Sequence, residues 1–242
     1  MVIAFLSDIH ANFPALCEAL GAARRAGAER VVCAGDLVGV GPHPTEVVRL
    51  LMETGAEAVR GNMDRRVLAL AGKPEKKLRR PAKRERAAGV WAALHLKARE
   101  RAWLASLPSS LRFEAGGVDV WVVHGSPLGD TDYIYPSLTP QGLRAKLGEE
   151  RPGLLVCGHS HIPFARRVAG VHVLNCGSVG KPVDGDPRGS FALADLGPRG
   201  RVRCRIVRFS YSTERLVRDL VERGAQGADP EEFLRATKRA KE

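Results

Sequence analysis

Aromatic residues are scarce, 5% of 242 positions, and the five cysteines include no C-x-x-C pair. Cys17, Cys33, Cys157, Cys176 and Cys204 form an odd, scattered set, which excludes a secreted disulfide framework and points to reduced thiols. Cys17 and Cys33 lie in apolar runs and are expected to be small buried hydrophobes, and Cys157 a buried strand residue. No uncharged apolar run reaches the roughly 18 residues of a membrane helix. The opening Met1-Val2-Ile3-Ala4-Phe5-Leu6 has no basic n-region and meets Asp8 at once, so no signal peptide and a cytoplasmic location are expected. Internal repeats, low-complexity tracts and linkers are also missing. What remains is 44% hydrophobic, enough for a packed core without disulfide or zinc staples.

The net charge of +11 is not evenly spread. Residues 65–101 hold 13 Lys and Arg against 3 acids, a net of +10, so the remaining 205 residues carry only +1. Within that stretch, 73–86 reads KPEKKLRRPAKRER. Beside a crevice that handles anions, such a segment raises the local substrate concentration and the on-rate. Nucleic acid is a conceivable partner but not the favoured one, because nothing near the segment resembles a base-stacking platform. Trp91 with Leu94, and Trp103 with Leu107, recur at helical spacing and are expected to pack in the core.

Periodicity predicts strands over Val2–Leu6, Arg30–Ala34 and Glu57–Val59, alternating with helices over Ala15–Ala26 and Thr45–Glu53. Pro14 and Gly27 punctuate the first helix. This order argues for parallel strands covered by helices. Helices broken near Gly72–Pro74 and Pro81 follow, then a hairpin of Leu111–Glu114 and Val118–Val123 around Gly116-Gly117. A helix at Pro140–Leu147 precedes four strands, Leu154–Cys157, Val171–Asn175, Ser190–Ala194 and Val202–Phe209. Helices at Thr213–Arg223 and Pro230–Lys241 end the chain. The expectation is one α/β domain over 1–242, with a basic helical segment at 65–107 and a helical tail at 212–242.

The chemistry-bearing residues fall where strands give way to loops. Ser7-Asp8-Ile9-His10 follows the first strand, Ala34-Gly35-Asp36 the second and Gly61-Asn62 the third. His124-Gly125 and Gly158-His159-Ser160-His161 follow two later strands. Carboxyl ends of parallel strands line one crevice, so these ends pool two Asp, one Asn and four His. In an extended stretch alternate residues share a side, which lets Asp8 and His10, and His159 and His161, each face one ion. Carboxylate, amide and imidazole together suit Mn, Fe or Zn better than Ca. Seven ligands exceed one tetrahedral ion and fit two ions sharing a carboxylate, the device that hydrolyses phosphate esters. Taken singly, Asp36 is explained as a helix cap and Asn62 as a turn residue; the conjunction, each beside a glycine, overrides those explanations.

These ordered motifs, D-x-H, G-D, G-N, H-G and G-H-x-H, resemble the calcineurin-like metallophosphoesterase superfamily over residues 2 to about 196. Asp8-Ile9-His10-Ala11-Asn12 and Asn175-Cys176-Gly177-Ser178-Val179-Gly180 resemble its small bacterial and archaeal phosphodiesterase branch. The resemblance implies a four-layer α-β-β-α sandwich of two mixed sheets flanked by helices. It implies that Asp8, His10, Asp36 and His161 hold one divalent ion, and that Asp36 bridges to a second held by Asn62, His124 and His159. Mn is the expected metal, with Fe, Zn, Ni or Mg as alternatives. Asn12 is placed near the substrate phosphate. Asp36, Asn62 and His124 then act as ligands activating a hydroxide for attack on a phosphodiester or nucleotide-like ester, an acidic small molecule. The alternatives are a non-catalytic scaffold that keeps the fold, and a nuclease using the basic segment. One position departs from the family. Its G-N-H-[DE] motif reads Gly61-Asn62-Met63-Asp64 here, and a thioether cannot protonate a leaving group. That weakens a protein-phosphatase reading and favours diesters; Asp64, His43 and His95 are the candidate substitutes for the acid. Gly177–Pro187 lacks calcium-loop spacing and reads as an ordered turn bordering the site.

Overall fold

The alternation of Val2–Leu6 decides the architecture. Ile3 and Phe5 point to one face of the strand and Ala4 and Leu6 to the other, and all four are fully buried, so this strand has a core on both sides. In the computed structural model, which describes residues 1–78, 84–225 and 229–230, it is β1 (Val2–Leu6). Parallel to it run β2 (Arg30–Cys33) and then β3 (Glu57–Ala58). On its other edge lie the antiparallel β9 (Gly189–Gly197) and β10 (Arg201–Phe209), giving the order β10-β9-β1-β2-β3. The second sheet has the order β4-β5-β6-β8-β7, from β4 (Ser110–Ala115), β5 (Val118–Val123), β6 (Leu154–Cys157), β7 (Phe164–Val168) and β8 (Val171–Asn175). Strands β5, β6 and β8 are parallel, and β4 and β7 are antiparallel edges.

Between the sheets Ile3, Phe5, Val32 and Ala192 meet Val120, Val122, Leu154 and Val156 in a buried cluster. Outside the first sheet, Ala4, Leu6 and Phe191 pack with α1 (Phe13–Arg25), α2 (Pro44–Glu53), α3 (Asn62–Ala71), α5 (Arg84–His95) and α6 (Ala98–Ser106). Leu78 of α4 (Glu75–Leu78) joins that cluster. Outside the second sheet, Val123, Leu155 and Val173 pack on Leu143 and Leu147 of α7 (Pro140–Leu147). This is the four-layer α-β-β-α order that the motif resemblance implies. No helix among the described residues is long and apolar enough to cross a membrane.

Several expectations need correction. Strand β7 was not foreseen, because FARRV places three exposed residues between two buried ends and carries no apolar alternation. Cys17 is exposed: α1 buries Pro14, Ala15, Leu16, Ala19 and Ala23, a stripe that passes it by. Trp91 does not join the core. It is half-buried and stacks on His95 at 3.6 Å, lining a cleft of about 360 Å³, while Leu94 is exposed. Trp103 does pack against the helix-side core, and Cys33 and Cys157 are fully buried. The expected helix at Thr213–Arg223 is present as α8 (Thr213–Glu222), whereas the break at Pro81 and all but the first residue of the expected helix 230–241 lie outside the described residues.

Candidate metal centre

Six of the strand-end residues converge where the two sheets meet. The first sheet supplies Asp8, His10 and Asp36, and the second supplies His124, His159 and His161. Their ligand atoms gather into two groups, Asp8-His10-His161 and Asp36-His124-His159, each within 4.8 Å. Every group therefore mixes residues from both sheets. Asn62, the first residue of α3, adds its Oδ1 at 2.9 Å from His124 Nε2, so all seven candidates are brought together.

The loops that carry them are not extended, as the alternate-residue argument supposed. Asp8, His10, Asp36, His159 and His161 all have φ between 50° and 62°, the left-handed region that few non-glycine residues enter. The loops interlock through Asp8 N to Gly35 O (3.0 Å), His10 N to Asp36 O (2.9 Å) and Ala11 N to Leu37 O (2.9 Å). Their approach is so close that a Cβ on Gly61 would collide with Asp36 Oδ1, and one on Gly158 with Ser7 Oγ. Asn12 caps α1: its Oδ1 accepts from Ala15 N, and its Nδ2 donates to Gly180 O at 2.9 Å.

Asp36 stands between the groups. Its Oδ2 lies 3.9 Å from His10 Nε2, and its Oδ1 lies 3.4 Å from His124 Nε2. Asp8 Oδ1 lies 3.2 Å from His161 Nε2 and 3.7 Å from His10 Nε2. The two ring nitrogens of His10 and His161 face each other at 3.1 Å. His124 Nδ1 donates to Ala34 O (2.7 Å) and His161 Nδ1 to Lys181 O (2.6 Å), which fixes both rings with Nε2 turned inward. Asp8 Oδ1 and His159 Nε2 are buried without a hydrogen-bond partner. An orphaned carboxylate oxygen in one group and an orphaned ring nitrogen in the other are what divalent cations of the Mn, Fe or Zn type would satisfy, so the residues fit the metal.

The charges agree. Burial works against ionisation of Asp8 and Asp36, but the imidazoles of His161 beside the first and His124 beside the second hold both below the usual carboxylate range. Burial likewise opposes a charged His124, yet Asp36 and Asp8 push it up to about 10. His161 is raised in the same way by Asp8, against its own burial. Burial, reinforced by His161, brings His10 down to about 4, and burial with His124 lowers His159. The carboxylates thus favour the protonated form of His124 most strongly and push His161 in the same direction.

None of the proposed substitutes for the missing acid reaches the two groups. Asp64 is fully buried and accepts from Gly61 N (2.9 Å) and Val38 N (3.0 Å); burial beside Asp36 pushes it up to about 7. His43 pairs with Asp219 at 3.0 Å, and exposed His95 donates from Nδ1 to Trp91 O at 2.8 Å. The Met63 thioether packs on Gly39, while its N–H donates to Asp36 Oδ1 at 2.8 Å. Gly177–Pro187 is an ordered turn that borders the site, with Asp184 paired to Arg208 and Asp186 to Arg188. Sequence reasoning missed the surroundings of the centre. Beside His124 a cleft of about 210 Å³ is lined by Arg60, Arg65, Trp121, Ser126 and Asp130, with Arg65 and Asp130 paired at 2.7 Å. Tyr133 lies against His159. No motif signalled either.

A family model described as the calcineurin-like phosphoesterase superfamily domain matches residues 1–198. An uncharacterised protein of Methanocaldococcus jannaschii is 28% identical, over 91% of this chain and 92% of the relative. The crystal structure of a metallophosphoesterase from Sphaerobacter thermophilus superposes with a TM-score of 0.78 at 27% identity, covering 99% of both chains. A hypothetical protein from Pyrococcus horikoshii shares the fold, with a TM-score of 0.79 at 22% identity over 93% of this chain and 94% of that one.

Proposed function

The chain belongs to the calcineurin-like phosphoesterase superfamily, and from that membership we propose that it is a metal-dependent phosphoesterase with a two-metal centre that prefers phosphodiesters or nucleotide-like esters. The observation that carries this reading is Asp36, with one oxygen turned to each ligand group. Asp8, His10 and His161 would hold one cation and Asn62, His124 and His159 the other, with Asp36 shared. Bound there, the cations supply Lewis acidity to a water and to the phosphate oxygens. The chain's own residues prepare that chemistry. Ala34 and Lys181 carbonyls orient His124 and His161, so that Nε2 is the atom offered. Asp8 and Asp36 stay ionised at neutral pH and complete each donor set. The preference for diesters rests on Met63: with its thioether packed on Gly39, no side chain of that motif position is available to protonate a leaving group.

The test is hydrolysis of bis-p-nitrophenyl phosphate and p-nitrophenyl phosphate by the purified protein with Mn²⁺, with an EDTA control. Metal-dependent turnover, faster on the diester, is expected. No metal-dependent turnover of either ester, with no metal retained by elemental analysis, would sink the proposal and favour a non-catalytic scaffold. Faster turnover of the monoester would remove the diester preference alone.

A further inference from the structure

The chain has three tyrosines, and two of them, Tyr133 and Tyr135, stand on the loop that leaves β5 after His124. Between them Ile134 is fully buried against the core under α7. Alternation about this anchor turns both tyrosine rings outward. The loop is pinned on each side: Ser126 and Lys146 both bond the Asp132 carboxylate, and Arg166 donates to Pro136 O. Tyr133 lies over the His159 ring with centroids 4.3 Å apart and planes 27° apart. Tyr135 stacks on Tyr133 at 5.3 Å and 8°. A row of three rings therefore leads from a candidate metal ligand out to solvent, and its two tyrosines are 44% and 43% exposed. Among the described residues, neither tyrosine hydroxyl has a hydrogen-bond partner.

Large aromatic rings left open beside a reaction centre, on a rigid loop, fit a planar partner. Stacked π faces reward flat rings over alkyl groups of equal size. We propose that Tyr133 and Tyr135 form the platform on which the nucleobase of a nucleotide substrate stacks while its phosphate sits at the metal centre. This rests on the reading of that centre as a phosphoesterase site and names the substrate class it serves. The contact of Tyr133 with His159 puts the platform beside one of the two ligand groups.

The experiment is equilibrium binding to the Mn²⁺-loaded full chain of three probes that cannot be cleaved. They are inorganic phosphate, the methylenephosphonate analogue of ribose 5-phosphate, and that of adenosine 5′-monophosphate. The adenosine probe should bind about tenfold tighter than the ribose probe. Tyr135→Ala should erase that difference and Tyr135→Phe should keep it, with the thermal midpoint of both variants unchanged. Equal affinity of the ribose and adenosine probes for the unaltered chain, with phosphate still bound, overturns the platform and leaves the phosphoesterase reading standing. Failure of all three probes to bind overturns both. A change of oligomeric state in Tyr135→Ala by sedimentation, with the adenosine preference intact, assigns the tyrosines to a contact between copies and overturns the proposal.

Discussion

Asp8, His10, Asp36, His159 and His161 each occupy left-handed backbone, at a cost of about 1–3 kcal/mol apiece. The interlocked loop hydrogen bonds hold them there, and the strain turns their side chains into a common centre. Their spacing in the sequence shows which residues belong to the site; the backbone conformation that aims them is not visible there, since hydrogen bonds between loops far apart in the chain hold it. Asp36→Asn keeps the shape and removes the charge shared between the groups. Activity should fall at least about 100-fold, with the retained metal reduced, measured by initial rates beside elemental analysis. The proton on His124 gives a second expectation. Ligation must displace it, so loading Mn²⁺ at pH 7 should release about one proton per chain. Calorimetry in buffers of different ionisation heat reads this number, and metal affinity should climb as pH rises toward 10. The sign for stability is opposite. In the metal-free chain His124 has its folded pKa raised from 6.5 to about 10. Its pairing with Asp36 therefore stabilises fully below pH 6.5, and that contribution is lost as pH rises toward 10.

Helix α1 shows how an element frames the site. Asn12 caps it, and Pro14 lies within the cap's first turn. The same Asn12 bonds Gly180 O, tying the helix start to the loop after β8. Asn12→Ala removes both bonds and leaves a buried carbonyl unpaired, so unfolding in urea should show a loss of about 2 kcal/mol. An unchanged midpoint would mean that water replaces both bonds. The strands that end at ligands were legible because short apolar runs give way to polar residues, beside a glycine at Asp36, Asn62, His124 and His159 and directly after Leu6 at Ser7-Asp8. Strand β7 was not, because an edge strand with its middle in solvent needs no hydrophobic pattern. Cys17 and Trp91 misled for the converse reason: apolar neighbours in sequence do not say which side of a helix has a partner to pack against.

At the scale of the molecule, the excess charge is concentrated in 65–101, a segment whose chain continues directly from the start of α3 at Asn62. Steering by that segment predicts that kcat/KM for an anionic diester falls as ionic strength rises. Replacing Lys76, Lys77, Arg79 and Arg80 by Ala should flatten that slope while kcat holds; a slope that stays as steep assigns the steering to other charges. Strand–helix order and motif order already show much else: an α/β chain of parallel strands covered by helices, and seven candidate ligands at strand ends. Spacing alone does not group those ligands, and the family resemblance had to supply the grouping, because Asp8 and His161, or Asp36 and His159, come from different sheets far apart in the chain. The buried contacts of Phe5 and Val32 with Val120 and Val156 bring the sheets together and level their strand ends. Only that packing gives Asp36 a ligand group on either side, and only the fold of the loop after β5 lays Tyr133 against His159 with Tyr135 stacked beyond it. Local sequence carries the chemistry of each side chain, whereas the distances that make it a site are set by burial between surfaces no local pattern connects.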